Sequence, residues 1–264
     1  MDLQLNRKQA LISASTAGIG LAIAKRLAQE GAMVIVNGRT LERVDQAIAA
    51  IREVAPDAEL RPLPLDLSAA EGIQQACERY PDIDILINNL GIYEPKPFEE
   101  ITDDDWMRLF EINVMSGVRL SRFYLPRMMQ RNWGRIVFIS SESGVNIPTE
   151  MIHYGMTKSA QLAIARGLAE HAKGTQVTVN SVLPGPTWSE GVEQFIAENA
   201  KAQGKTIEAV EQDFFQVMRP SSLIQRFATA DEVANLVAYV VSPLASATTG
   251  APLRVEGGCV RSIV

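Results

Sequence analysis

Cysteine and histidine are scarce in this chain, with two of each among 264 residues. Cys77 and Cys259 stand far apart and belong to no CxxC or CxxH pattern, which argues against a disulfide scaffold and a zinc site and leaves both as small apolar fillers. His153 and His171 lack ligand-like spacing, so no metal centre is predicted. Positive charge is in deficit as well. The formal net charge is −6, and no basic run is interleaved with aromatics, which opposes nucleic acid as a partner. No apolar run approaches the ~18 residues needed to cross a bilayer. The opening MDLQLNRKQALIS is broken by polar and charged residues where a secretory signal would carry its apolar segment. A cytoplasmic chain without a membrane partner is expected.

What the chain does have is an ordinary globular composition, 47% hydrophobic and 21% charged, without internal repeats or low-complexity stretches. Its pattern alternates. Short apolar runs at 10–14, 32–37, 83–88, 135–140, 176–182 and 252–255 read as buried strands, and between them lie segments of helical periodicity. In GIGLAIAKRLAQEG the apolar residues Ile19, Ile23, Ala24 and Leu27 recur at three- and four-residue intervals before Gly31 ends the helix. Thr40 is placed to cap the helix TLERVDQAIAAIREV. Further helices are expected near 69–79, 105–131, 151–172 and 230–241. Strand and helix in alternation predict an α/β fold, a doubly wound parallel sheet with helices on both faces, forming a single domain over 1–264. One departure, 186–228, carries two short helical patterns at the end of a strand and is expected to be a lid insertion over a ligand.

Directly after the first strand comes SASTAGIG, residues 13–20. Gly18 and Gly20 at the start of a helix let a pyrophosphate approach the backbone, and the helix N-terminus offers free N–H groups. At the end of the second strand an acidic residue would bind a free ribose 2′-hydroxyl, but Asn37, Gly38 and Arg39 stand there. Arg39 can pair with a 2′-phosphate, which favours NADP(H) and leaves NAD(H) possible. Asp66, in LPLDLS, can meet the adenine edge or cap the helix that follows. Farther along, Tyr154 and Lys158 are four residues apart, so on a helix they share a face.

Together these pieces resemble the short-chain dehydrogenase/reductase family over essentially the whole chain. The matches, in order, are SASTAGIG at 13–20, AspLeu at 66–67, AsnAsnLeuGly at 88–91, Asn113, Ser141, TyrGlyMetThrLys at 154–158, ProGly at 184–185 and GluGlyGly at 256–258. Two departures are Ser13-Ala14, where the family usually has Thr-Gly, and Leu90 in place of alanine. The resemblance implies coenzyme contacts from Ser13, Ser15, Thr16, Gly18, Ile19 and Gly20 in the turn. It implies others from Asp66, Leu67, Asn89 and Gly91, and from Tyr154 and Lys158 at the nicotinamide ribose. The segment NSVLPGPTWS is similar to the one that holds the carboxamide, with Pro184 and Gly185 shaping the turn and Thr187 or Ser189 as the contact.

The same resemblance implies a hydride transfer between a nicotinamide and a carbonyl or secondary alcohol. Tyr154 would be the acid/base, its phenol made acidic by the Lys158 ammonium and the oxidised nicotinamide. Ser141 would bind the carbonyl oxygen, with Ser140 and Ser143 as alternatives that fit the spacing less well. Asn113 would hold a water in a proton relay, or else be a helix-kinking buried polar residue. His153, beside the tyrosine, points about 100° around the helix and is expected to be packed or at the surface.

Ser143, Val145, Asn146, Ile147, Tyr93, Trp188, Phe195, Phe214 and Phe215 lie near the expected pocket, a mostly apolar set that favours a medium-sized carbonyl compound. A 3-oxoacyl thioester is possible, with Arg127, Arg131 and Arg135 as a basic docking cluster. Association into a homodimer or homotetramer through the long helices and the last strand follows from the resemblance. The rival reading is a noncatalytic dinucleotide-binding regulator or scaffold.

Overall fold

The computed structural model describes residues 1–263, apart from the Phe195 side chain. The elements follow one another as β1 (Gln9–Ile12), α1 (Gly18–Gln29), β2 (Met33–Gly38), α2 (Leu41–Arg52), β3 (Leu60–Pro64), α3 (Ala70–Arg79) and β4 (Ile85–Asn88). Then come α4 (Asp103–Phe110), α5 (Ser116–Gln130), β5 (Gly134–Ile139), α6 (Ile152–His171), β6 (Val177–Pro184), α7 (Glu190–Gln203), α8 (Ile207–Asp213), α9 (Ala230–Val241) and β7 (Pro252–Val255). Among the described residues the seven strands form one parallel sheet in the order β3-β2-β1-β4-β5-β6-β7. The order reverses between β1 and β4, where a crevice opens at the strands' carboxyl ends.

Side chains alternate across the strands, and each face has its own core. Ala10, Ile12, Val137 and Ile139 face Ile23 and Leu27 of α1 and Val233 and Val237 of α9. Leu11, Ile136 and Phe138 face Ile73 of α3, Leu120, Tyr124 and Met128 of α5, and Ala165 of α6. Both faces are thus covered, which is why the strands read as continuous apolar runs.

Three boundaries differ from the sequence reading in ways that matter for the site. The first strand stops at Ile12, because Ala14 takes a left-handed conformation at φ 52°. The helix expected over 105–131 is broken by a single π turn, Glu111–Met115, which joins α4 to α5. Such turns let one carbonyl leave the helical ladder for another partner, and here the Asn113 carbonyl accepts from Gln161 Nε2 at 2.6 Å. Asp66 does not cap α3. Ala69 holds that position, while Asp66 Oδ1 accepts from the backbone N and hydroxyl of Ser68 at 2.9 and 2.7 Å.

Residues 186–228 form a unit on top of the sheet. Its two ends are pinned together, since Trp188 N donates to the Ala228 carbonyl at 2.8 Å and Ala228 N to that of Pro186 at 2.9 Å. Inside, Ile196, Ala200, Val210, Phe215 and Phe227 make a small separate core.

Candidate active site

The glycine turn opens a cleft of about 480 Å³ over the carboxyl ends of β1, β4, β5 and β6. A Cβ on Gly20 would lie 2.3 Å from the Ala14 carbonyl oxygen and 2.5 Å from Asn89 Nδ2, so no side chain fits there. Gly18 has φ +51°, a conformation glycine adopts without strain. Ala17 caps α1 without any side-chain hydrogen bond, and no acidic residue occupies the first turn. The first N–H groups of α1 therefore face the cleft with their dipole uncompensated, as an anion such as pyrophosphate requires. Gly18, Ile19, Gly20, Asn89, Gly91, Tyr154, Lys158, Pro184, Gly185, Thr187 and Ser189 all line this cleft.

Other sequence-predicted contacts are not among the residues that line this cleft. Ser13 is buried; its hydroxyl accepts from Asn89 N and Leu90 N, both at 2.9 Å, tying β1 to β4. Ser15, also buried, donates to the Ile12 carbonyl at 2.9 Å and accepts from Asn37 N at 2.8 Å. Leu67 packs in the core. Thr16 packs against Gly38. Arg39 and Asp66 are exposed, and the Arg39 charge adds to the Ser68 hydrogen bonds that hold the Asp66 carboxyl below its ordinary pKa. The Asn37 amide is committed to Ala14 N and to the carbonyls of Leu63 and Leu65.

Tyr154 and Lys158 share the inner face of the first turns of α6. That helix is fastened to the end of β5 by Ser140, whose hydroxyl donates to the Lys158 carbonyl at 2.9 Å, and by Ser159, which donates to the Gly144 carbonyl at 2.7 Å. Ser140 is thereby occupied, and the Ser143 hydroxyl donates to Glu142 at 2.8 Å. Ser141 donates to Glu142 as well, at 2.5 Å, and is the one of the three whose side chain also interacts with the Tyr154 phenol. Lys158 Nζ lies 5.5 Å from the centroid of the Tyr154 ring. It donates to the Ile139 carbonyl at 2.9 Å and to Gln161 Oε1 at 3.3 Å.

Asn113 is buried, its side chain bonded to both the N–H and the carbonyl of Ile92 at 2.7 and 2.8 Å and to Thr157 Oγ1 at 3.1 Å. Gln161, which sequence reasoning missed, connects Lys158 to Asn113. His153 is fully buried against the edge of Trp106, and neither ring nitrogen finds a partner among the described residues.

The electrostatics depart from the expectation of an acidic phenol. Burial pushes the Tyr154 phenol above its ordinary pKa, and the Glu142 carboxylate adds to the rise. Burial lowers Lys158 to about 8. The reason is geometric: the ammonium is itself stripped of water and faces the ring and a carbonyl. Left to these groups, the phenol stays protonated at neutral pH.

Beyond Tyr154 a second cavity, of about 250 Å³, lies between the sheet and the 186–228 unit. Tyr93, Ser143 and Phe214 line it as predicted, together with Met151, Pro186 and Met218. Phe215 and Trp188 belong instead to the core of the upper unit, Val145 and Ile147 are exposed, and Phe195 lies outside the described side chains. Sequence reasoning missed the charged wall of this cavity, Glu142, Glu150 and Arg219. Glu142 had a local signal, an acid at the end of an apolar strand beside Ser141; Arg219 had none.

The basic cluster does not form a docking face. Arg135 is buried and bonded to the carbonyls of Gly134 and Gln176, Arg131 pairs with Asp82, and Arg127 stacks on Phe123. Cys77 and Cys259 are both buried and free. Among the described residues no helix is long and apolar enough to cross a membrane.

Comparison with known proteins agrees with this fold. The profile of a family described as short chain dehydrogenase matches residues 8–200. Two uncharacterized oxidoreductases of Bacillus subtilis (strain 168) are similar over 100% of both chains, YvrD at 50% and YvaG at 48% identity. Among solved structures, L-sorbose reductase from Gluconobacter frateurii, complexed with NADPH and L-sorbose, covers 100% of both chains with a TM-score of 0.92 at 28% identity.

Proposed function

The chain belongs to the short chain dehydrogenase family, oxidoreductases acting on CH–OH and C=O groups, and on that premise we propose that it is an NADP(H)-dependent reductase of a medium-sized carbonyl compound. One observation carries the proposal. Ser141, Tyr154 and Lys158, drawn from the loop that follows β5 and from α6, converge on the cleft that the glycine turn opens.

A nicotinamide dinucleotide bound in that cleft would supply the hydride. NADP(H) is preferred over NAD(H) because Arg39 is exposed at the end of β2 while the Asn37 amide is fully used within the fold. Gly18 and Gly20 leave room for the pyrophosphate, and Pro184, Gly185, Thr187 and Ser189 form the opposite lip. Ser189 caps α7, accepting from Val192 N at 3.3 Å, and the Thr187 hydroxyl donates to the Gly185 carbonyl at 2.9 Å. The unit 186–228 acts as the lid.

In the reducing direction Tyr154 gives its phenolic proton to the substrate oxygen as negative charge develops there. Its raised pKa keeps that proton in place across neutral pH. Ser141 holds the same oxygen by turning its hydroxyl hydrogen from Glu142 toward the substrate. Lys158 then faces the phenolate that remains, and Gln161 and Asn113 hold the ammonium's surroundings. The reverse reaction asks Tyr154 to ionise first.

The free carbonyl compound is preferred to a carrier-bound 3-oxoacyl thioester, because Arg127, Arg131 and Arg135 are occupied within the fold. A groove between α5 and α6 lined by Val118, Leu125, Ile164 and Leu168 supports association into a homodimer or homotetramer. Two buried, unpaired cysteines agree with a cytoplasmic setting. The deciding experiment follows NADPH absorbance with a panel of ketones, beside Tyr154→Phe. Turnover that survives unchanged in the variant rejects the acid/base assignment, and no turnover with any carbonyl leaves the noncatalytic regulator in its place.

A further inference from the structure

The substrate cavity has a charged wall whose arginine and outer acid, Arg219 and Glu150, none of the proposed steps uses. Glu142 follows Ser141 directly and is 4% exposed. Its Oε2 accepts from the Ser141 hydroxyl at 2.5 Å, from Ser143 N at 2.6 Å and from the Ser143 hydroxyl at 2.8 Å. Its Oε1 accepts from Arg219 Nε at 3.1 Å. The Arg219 guanidinium, its side chain 12% exposed, is shared with a second carboxylate, since Nη1 donates to Glu150 Oε1 at 3.1 Å. One cation thus bridges two anions across the cavity, and the wall carries a net charge of −1.

Such a wall discriminates between substrates. A carboxylate or phosphate entering the cavity would meet an arginine already shared by two acids and would lie against a like charge. A hydroxyl group meets no such barrier. It can donate to Glu150, whose side chain is 32% exposed, and accept from the guanidinium edge. Glu142, with both oxygens engaged, anchors the arrangement one residue from the serine that would hold the carbonyl oxygen. The rest of the lining includes Tyr93, Pro186 and Phe214, whose ring lies beside the Arg219 guanidinium, and offers mostly apolar surface to C–H faces. At about 250 Å³ the space is smaller than the ~300–1,000 Å³ pockets of drug-sized ligands, which argues for the lower end of the medium-sized range proposed above.

We propose that Glu142, Arg219 and Glu150 select an uncharged carbonyl substrate that bears a hydroxyl group near the carbonyl, such as a hydroxyketone or ketose, and exclude acidic ones. The proposal rests on the oxidoreductase reading above and sharpens it. Glu150 and Arg219 are specificity residues that touch the substrate; Glu142 positions Ser141 and Arg219.

The test measures kcat/KM with NADPH for acetoin against butanone, a ketohexose against hexanone, and acetoacetate. Each hydroxylated compound is expected to exceed its deoxy partner by about tenfold or more, the scale of one charge-assisted hydrogen bond, with acetoacetate below both. Glu150→Ala, at the more exposed end of the bridge, is expected to erase the hydroxyl preference. Glu150→Gln, which removes the charge and keeps the shape, is expected to raise acetoacetate relative to acetoin. Equal turnover of the paired ketones by the parent, or a ratio unmoved in Glu150→Ala, overturns the proposal while leaving the oxidoreductase reading intact. Calorimetric binding of a hexitol and of hexanediol to the NADPH-loaded protein provides a readout without turnover, because an alcohol and the reduced coenzyme cannot react with each other. Hexitol binding that weakens in Glu150→Ala, in a protein that reduces no carbonyl, upholds the wall and rejects the oxidoreductase reading. No hexitol binding and no turnover rejects both.

Discussion

Lys158 Nζ stands 5.5 Å from the centre of the Tyr154 ring and is bonded to the Ile139 carbonyl. The lysine is therefore fixed independently of the tyrosine, and the two can be separated by mutation. Tyr154→Phe keeps the ring and loses the proton; a fall in kcat of about 10²–10⁴ is expected, the usual worth of a positioned acid. Lys158→Met is expected to lower kcat and also weaken coenzyme binding, whereas Tyr154→Phe should leave the coenzyme dissociation constant within about twofold. Stopped-flow kinetics and fluorescence titration with NADPH separate the two effects.

The two pKa directions set the pH dependence of the reaction. Reduction needs Tyr154 protonated, and its raised pKa keeps it so; Lys158 keeps its charge up to about pH 8. The reduction rate is expected to stay level from about pH 6 to about pH 8 and to decline above that as the ammonium is lost. Oxidation of the corresponding alcohol should instead climb with pH, because the phenol must ionise. Profiles of kcat/KM measured in both directions check this, and a reduction rate that rises with pH would contradict it.

Coenzyme choice depends on an exposed arginine. Arg39→Ala is expected to weaken NADPH binding by about 10- to 100-fold, as loss of a charge-assisted contact does, with little change for NADH. Titration of both coenzymes decides the matter, and equal losses would remove the 2′-phosphate contact.

At Gly20 the backbone leaves no room. Its Cβ would come within 2.3 Å of the Ala14 carbonyl, so Gly20→Ala is expected to move the turn and to destabilise the fold by about 1–3 kcal/mol, a typical overpacking cost. Coenzyme affinity should fall more than tenfold, and thermal melts with and without NADPH read both quantities.

His153 predicts an acid-sensitive fold. Burial lowers its pKa below the ordinary 6.5, and this outweighs Asp105 and Glu94, which favour its charged form; Arg108 and Lys96 reinforce the lowering. The unfolded chain therefore binds the proton first. The stability that neutral His153 contributes is intact above about pH 6.5 and is lost as pH falls below it. His153→Leu should flatten the decline of Tm on acidification, and an unchanged slope would assign the acid sensitivity elsewhere.

How much of this was legible in the chain depended on distance along it. Strand runs, helix periodicities, the glycine turn and the Tyr154–Lys158 pair are patterns within a few residues, so the α/β order and the cleft could be read directly. Gly18 and Gly20 announced the close approach that the backbone makes. Ser13, Ser15 and Leu67 fell within the right motif yet turned inward, because a motif places a backbone and the packing around it decides where each side chain points.

By itself, then, the sequence determined the alternation of elements and the residues able to do the chemistry, since local propensity and spacing depend on neighbours in the chain. Tertiary structure alone decided the rest. Glu142 meets Arg219 across 77 residues and Glu150 meets it across 69. The Asn113 carbonyl, within the π turn, accepts from Gln161, 48 residues on. The direction of the Tyr154 shift follows from how much water the folded walls exclude and which charges they bring near, and no local pattern carries that.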